Sequence, residues 1–67
     1  MIKNNVSDII GKRKLSVAEV AKIAGVKYST IQNLYKDKTK KIEFETMNKL
    51  CYALECSTQD LFPYIPD

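Results

Sequence analysis

Apolar residues recur along this chain at spacings of three and four, and the polar residues between them carry capping and turn signals. Over residues 5–14 the side chains of Val6, Ile9 and Ile10 share one face, and Asn5 stands where a side-chain oxygen can cap the first turn. This predicts a first helix. A second begins at Ser16-Val-Ala-Glu19, a capping box in which serine hydroxyl and glutamate carboxylate satisfy two backbone donors reciprocally. Its inner residues are Val17, Val20, Ala21 and Ala24, with Glu19 and Lys22 left for solvent. Gly25 follows where a helix ends in a left-handed residue, a conformation glycine adopts without a side-chain clash. A third amphipathic run then starts, with Tyr28, Ile31, Leu34 and Tyr35 on one side.

Asp37-Lys-Thr-Lys-Lys41 reads as a polar, basic loop. The fourth helix, about residues 43–55, aligns Phe44, Met47, Leu50, Cys51 and Leu54 in a core-facing stripe. Ser57-Thr-Gln-Asp60 is a second capping-box signal, opening a single turn that ends at Leu61-Phe62. Pro63 and Pro66 stop further helix and leave PYIPD as an extended tail. There is no strand alternation, internal repeat, low-complexity segment or linker. The pattern predicts an all-α domain of five helices spanning residues 1–67. Its second and third helices, about residues 16–36, meet over a tight turn as a helix-turn-helix. Ala21, Gly25, Ile31 and Leu34 are the structural residues of that unit, Ala21 because a larger side chain there would push the two helices apart.

The outward side of the third helix carries the candidate chemistry. With Ile31 at zero and about 100° per residue, Leu34 and Tyr35 fall within roughly 60°, whereas Ser29, Gln32, Asn33 and Lys36 cluster between about 100° and 200°. Gln and Asn can pair with adenine through two hydrogen bonds, Ser can donate or accept, and Lys can reach guanine or a phosphate. Any exposed helix face is polar. This one is distinguished by following directly on a helix-turn-helix junction, whose second helix suits the DNA major groove. Lys27 opens the same helix beside backbone N–H groups suited to an anion, and Lys38, Thr39, Lys40 and Lys41 follow it as candidate phosphate contacts. Lys12, Arg13 and Lys14 end the first helix, where they serve either a phosphate or the helix dipole.

Charge distribution sharpens this picture. The net charge is +3, but residues 1–41 carry ten basic groups against three acidic ones, and residues 42–67 carry one against five. The N-terminal two thirds therefore suits a polyanion. No apolar run approaches the roughly 20 residues of a membrane span, and the N-terminus lacks the long apolar block of a signal peptide. Both point to the cytoplasm. Cys51 and Cys56 read as small, buried hydrophobes: the chain has no histidine and no second cysteine pair for zinc, and a bridge closing so small a loop would constrain little. With no nucleophile–base motif and no phosphate-cradling glycine loop, enzymatic activity, cofactors, metals and a small-molecule ligand are not expected.

The chain resembles the Cro/repressor-type (XRE-like) helix-turn-helix family, in particular its short single-domain bacterial and prophage members. The resemblance rests on Leu15-Ser16, Val20-Ala21, Gly25-Val26, Ser29-Thr30-Ile31, Leu34-Tyr35, Thr46, Lys49-Leu50-Cys51, Leu54, Cys56 and Asp60-Leu61. It covers nearly the whole chain and implies a five-helix lambda-repressor-like fold, operator DNA binding and usually repression. By position it makes Tyr28, Ser29, Gln32, Asn33 and Lys36 the base-reading residues. Val17 stands where the family often has a phosphate-touching Gln, and Lys27 where it tends to have a capping Ser. Such proteins pair on pseudo-palindromic sites, which makes a homodimer the expected state, with Cys56–Phe62 and the tail residues Phe62, Tyr64 and Ile65 as candidate contacts. The expected function is a sequence-specific double-stranded DNA-binding transcriptional regulator, a repressor; a protein-binding adaptor or antitoxin with this fold is the alternative.

Overall fold

The computed structural model describes residues 1–67 and contains α1 (Val6–Lys12), α2 (Val17–Ala24), α3 (Tyr28–Tyr35), α4 (Phe44–Leu54) and α5 (Thr58–Leu61). Both capping boxes form. Ser16 Oγ accepts the Glu19 N–H at 3.1 Å while Glu19 Oε1 accepts the Ser16 N–H at 2.9 Å. Ser57 and Asp60 repeat the arrangement at 3.1 and 2.9 Å. The Ser57 backbone N–H, then its hydroxyl, then the charge of Lys12 hold the Asp60 carboxyl below its ordinary pKa.

Nine residues form the core: Val6, Ile10, Val20, Ala21, Ile31, Leu34, Leu50, Leu54 and Leu61. Every helix supplies at least one. α2 is central, packing on α3 and α4, while α1 covers α3 and α5 covers α4. Burial of each Leu, Ile or Val side chain contributes about 1.5–3 kcal/mol, so removing one destabilises a domain of this size severely.

Gly25 ends α2 at φ 69°, ψ 35°, as its type predicts. A Cβ there would meet nothing within 4 Å, so the dihedral alone demands glycine. Three other residues take left-handed φ without being glycine: Lys14 at 57°, Asp37 at 59° and Glu55 at 51°. Each costs about 1–2 kcal/mol of local conformational energy, which the backbone bonds closing the helix ends offset.

Several expectations need correction. Asn5 occupies the cap position of α1 but makes no capping bond; Asn4 does, its Oδ1 accepting the Val6 N–H at 2.9 Å. Phe44 is 88% exposed and outside the core stripe. It lies about 120° from Leu50 on the helical wheel, in the first turn of α4, and Ile42 packs on the core instead. Tyr28 and Tyr35 are also exposed, being at the two ends of α3 where neighbouring helices no longer cover that face. Cys51 and Cys56 are half-buried at the core's edge, not enclosed.

Nor is PYIPD a free tail. It runs antiparallel to the N-terminal residues, with Lys3 N–H donating to Pro63 O at 2.9 Å, Asn5 N–H to Leu61 O at 2.8 Å and Ile65 N–H to Met1 O at 2.8 Å. The pairing amounts to one isolated bridge, Ile2 with Tyr64, and no named strand. Pro63 and Pro66 have no N–H to donate, so the ladder cannot extend. This ribbon places Asn4 against the end of α3. Asn4 Nδ2 donates to Leu34 O at 2.9 Å and to Asp37 Oδ1 at 3.2 Å, so one side chain caps α1 and clamps α3.

Four substitutions have expected effects on stability, each measurable by urea unfolding. Gly25→Ala should cost about 1–2 kcal/mol from backbone strain alone, and Ala21→Leu about 1–3 kcal/mol by overpacking the α2–α3 contact. Asn4→Asp keeps the α1 cap but loses both donors and faces Asp37; it should cost about 1–3 kcal/mol, and Asp37→Asn in the same chain should restore part of the loss. Because the folded-state pKa of Asp60 is depressed, its contribution is present above an ordinary carboxylate pKa near about 3.9 and disappears as pH falls through the lowered value. Asp60→Asn should therefore reduce the loss of stability on acidification.

Candidate nucleic-acid interface

The α2–α3 turn is held by two donors on one carbonyl: the N–H groups of Gly25 and Val26 reach Ala21 O at 2.9 and 3.1 Å. Val26 packs on the core, so the chain leaves the turn in a defined direction. Lys27 then occupies the cap position of α3 in extended conformation and makes no side-chain capping bond. Its ammonium is exposed, and the first-turn N–H groups it leaves uncapped carry the positive end of the helix dipole.

Within α3 burial is confined to Ile31 and Leu34. Ser29 and Asn33 are exposed and Gln32 is half-buried on the opposite side, with exposed Lys36 just past the last turn. Tyr28, 54% exposed, flanks this face at its N-terminal end. None of these polar side chains is spent on a hydrogen bond within the chain; the side-chain bonds at this end of the helix run through Asn4 and Asp37. The result is a patch of uncommitted donors and acceptors with no carboxylate among them.

Asp37 lies beside that patch, but its carboxylate accepts from Asn4. Its left-handed backbone closes α3, with the Asp37 N–H on Leu34 O at 3.1 Å and the Lys38 N–H on Asn33 O at 2.8 Å. This closure fixes where the basic loop departs. Lys38, Lys40 and Lys41 are exposed and Thr39 half-buried. Thr39, Lys40 and Lys41 line a groove of about 730 Å³ that also includes Lys3 and Asn4. Lys3 thus joins the basic loop, an association invisible in sequence because the pairing of the two termini creates it.

The basic trio ending α1 divides by role. Arg13 Nη2 donates to Glu55 O at 3.1 Å and Nη1 lies 3.8 Å from the Glu55 carboxylate, so Arg13 closes the end of α4. Lys12 and Arg13 line a second cleft between α1 and α5, apart from the α3 patch. Arg13 thus complements the C-terminus of α4 and not that of its own helix. No helix in the structure is long and apolar enough to cross a membrane.

Comparison with known proteins agrees with this geometry. The family model of the Cro/C1-type HTH DNA-binding domain matches residues 5–67. The uncharacterized HTH-type transcriptional regulator YozG of Bacillus subtilis (strain 168) is 33% identical over 63 residues, covering 94% of this chain and 75% of that protein. Together with the α2–turn–α3 unit, these similarities establish that the chain belongs to the Cro/C1-type helix-turn-helix DNA-binding domain family.

Proposed function

We propose that this protein is a sequence-specific transcriptional regulator that reads the DNA major groove with α3 and acts as a repressor by occupying its site. The observation that carries this reading is the uncommitted polar face of α3 between Lys27 and the Lys38–Lys41 loop. Ser29, Gln32, Asn33 and Lys36, with Tyr28 at their edge, take the base-reading role; Gln32 and Asn33 have the amide geometry for adenine. Lys27, Lys38, Thr39, Lys40 and Lys41 hold phosphates on either side, which fixes the register of the helix in the groove. Similarity to the Bacillus HTH-type transcriptional regulator supports the same assignment.

One α3 helix covers a short stretch of groove, so two copies on a pseudo-palindromic site, with half-sites about one helical turn apart, are the expected binding unit. Phe62 packs on the core and is largely spent there. Tyr64 and Ile65, 60% and 49% exposed, are the better candidates for contact with a second copy. Binding to its operator places the protein in the cytoplasm with the chromosome.

Selection of bound duplexes from a random pool, followed by salt titration, tests this function. The expected result is a strong sequence preference with affinity falling steeply as salt rises, by about 0.9 log units per log unit of salt for each phosphate neutralised. Lys40→Ala should weaken all duplexes alike and reduce that slope by about 1. Asn33→Ala should relax preference at particular base pairs, worth about 1–3 kcal/mol of discrimination. Weak, salt-insensitive binding without preference would instead identify a protein-binding adaptor.

A further inference from the structure

Cys51 and Cys56 play no part in the DNA-binding reading, yet the fold brings them together in a specific way. The C-terminus of α4 closes through two bonds, Cys56 N–H to Cys51 O at 3.1 Å and Glu55 N–H to Tyr52 O at 3.4 Å, around left-handed Glu55. This is the Schellman arrangement, in which the side chains of the two residues joined by the bond that spans more of the sequence meet over the helix end. Here both are cysteines. The bond bounds their α-carbons to within about 7 Å, the outer limit of what a disulfide spans. The side chains pack on the same edge of the core, and Cys51 is near enough to help raise the pKa of the Cys56 thiol.

Both thiols are half-buried, but they border different surfaces. Cys56 lines the cleft of about 400 Å³ between α1 and α5, beside Arg13, Glu55 and Gln59, whereas Cys51 does not line it. We propose that Cys51 and Cys56 form a modification site that a low-molecular-weight disulfide oxidises to an intramolecular disulfide, with Cys56 attacking first and Cys51 resolving. In the first step the Cys56 thiolate attacks one sulfur of the reagent, forming a mixed disulfide and expelling one thiolate. In the second, Cys51 gives up its proton to solvent and attacks Cys56 Sγ, expelling the other thiolate. The protein loses two protons and two electrons, and the reagent leaves as two reduced thiols.

Burial, then Cys51, then Asp60 push the Cys56 thiol above its ordinary pKa, and Arg13 opposes them only partly. Lys12, Asp8 and Glu55 are the remaining charged groups lining the cleft. The thiolate is therefore scarce near neutral pH, so exchange is slow there and accelerates on the alkaline side. Loop length alone gave a disulfide here little weight, but the folded helix end brings the two cysteines together.

The test treats the folded full-length protein with glutathione disulfide at mildly alkaline pH and follows intact mass. Wild type should lose two hydrogens and retain no glutathione. Cys51→Ser should accumulate one stable glutathione adduct, and Cys56→Ser should react about tenfold more slowly than Cys51→Ser because its thiol does not open on the cleft. Cys51→Ala and Cys56→Ala repeat the comparison if either serine variant loses its helical circular dichroism. A persistent glutathione adduct or disulfide-linked dimer in wild type, or equal rates for the two single variants, would overturn the proposal.

Discussion

Burial of Ile31 and Leu34 is the contact on which the rest of this structure depends. They are 0% and 2% exposed and are the only residues of α3 in the core. Two anchors three residues apart lie on one side of a helix and fix both its position and its rotation. The outward face is thus determined by what is buried inward: once Ile31 and Leu34 are seated, Ser29, Asn33 and Lys36 have nowhere to go but solvent. Ala21 makes room for this seating. A small side chain on α2 allows the close approach that a larger one would prevent, and the Gly25 turn brings α3 back over that spot.

The anchors hold the middle of α3, and different devices hold its ends. At the start, the Ala21 carbonyl receives both turn donors. At the finish, the Leu34 carbonyl receives the Asp37 N–H and the Asn4 amide. The second of these ties α3 to the ribbon formed by the two chain ends. Through Asn4, that ribbon also orients Asp37 and the loop carrying Lys38 to Lys41. Placement of the basic loop relative to the α3 face is consequently a property of the whole chain, not of the helix-turn-helix alone.

Much of this was legible in the residues themselves. Capping boxes at Ser16 and Ser57, glycine at the α2–α3 turn, and the inner positions of α2 and α3 depend on interactions within four residues, and local spacing reports such interactions directly. Failures occur where a neighbour distant in sequence decides. Phe44 falls at the edge of the α4 stripe, about 120° from Leu50, and stays exposed in the first turn of that helix. Asn5 and Asn4 are chemically identical cap candidates, and the choice between them turns on Leu34 and Asp37, some thirty residues away. The tail offered no strand pattern because its partner is the opposite terminus and two prolines interrupt the donors.

By itself, then, the sequence determined five helices, the sharp turn at Gly25 and the outward polar side of α3 opposite Ile31, since each rests on periodicity, capping or the φ preference of a single residue. Only the tertiary structure decided that Asn4 clamps the end of α3, that Lys3 joins the basic loop, that Arg13 closes α4 and that Phe44 stays in water. Each of those depends on contact between segments far apart in the chain. Periodicity records which side of a helix is apolar; it does not record what will be packed against it.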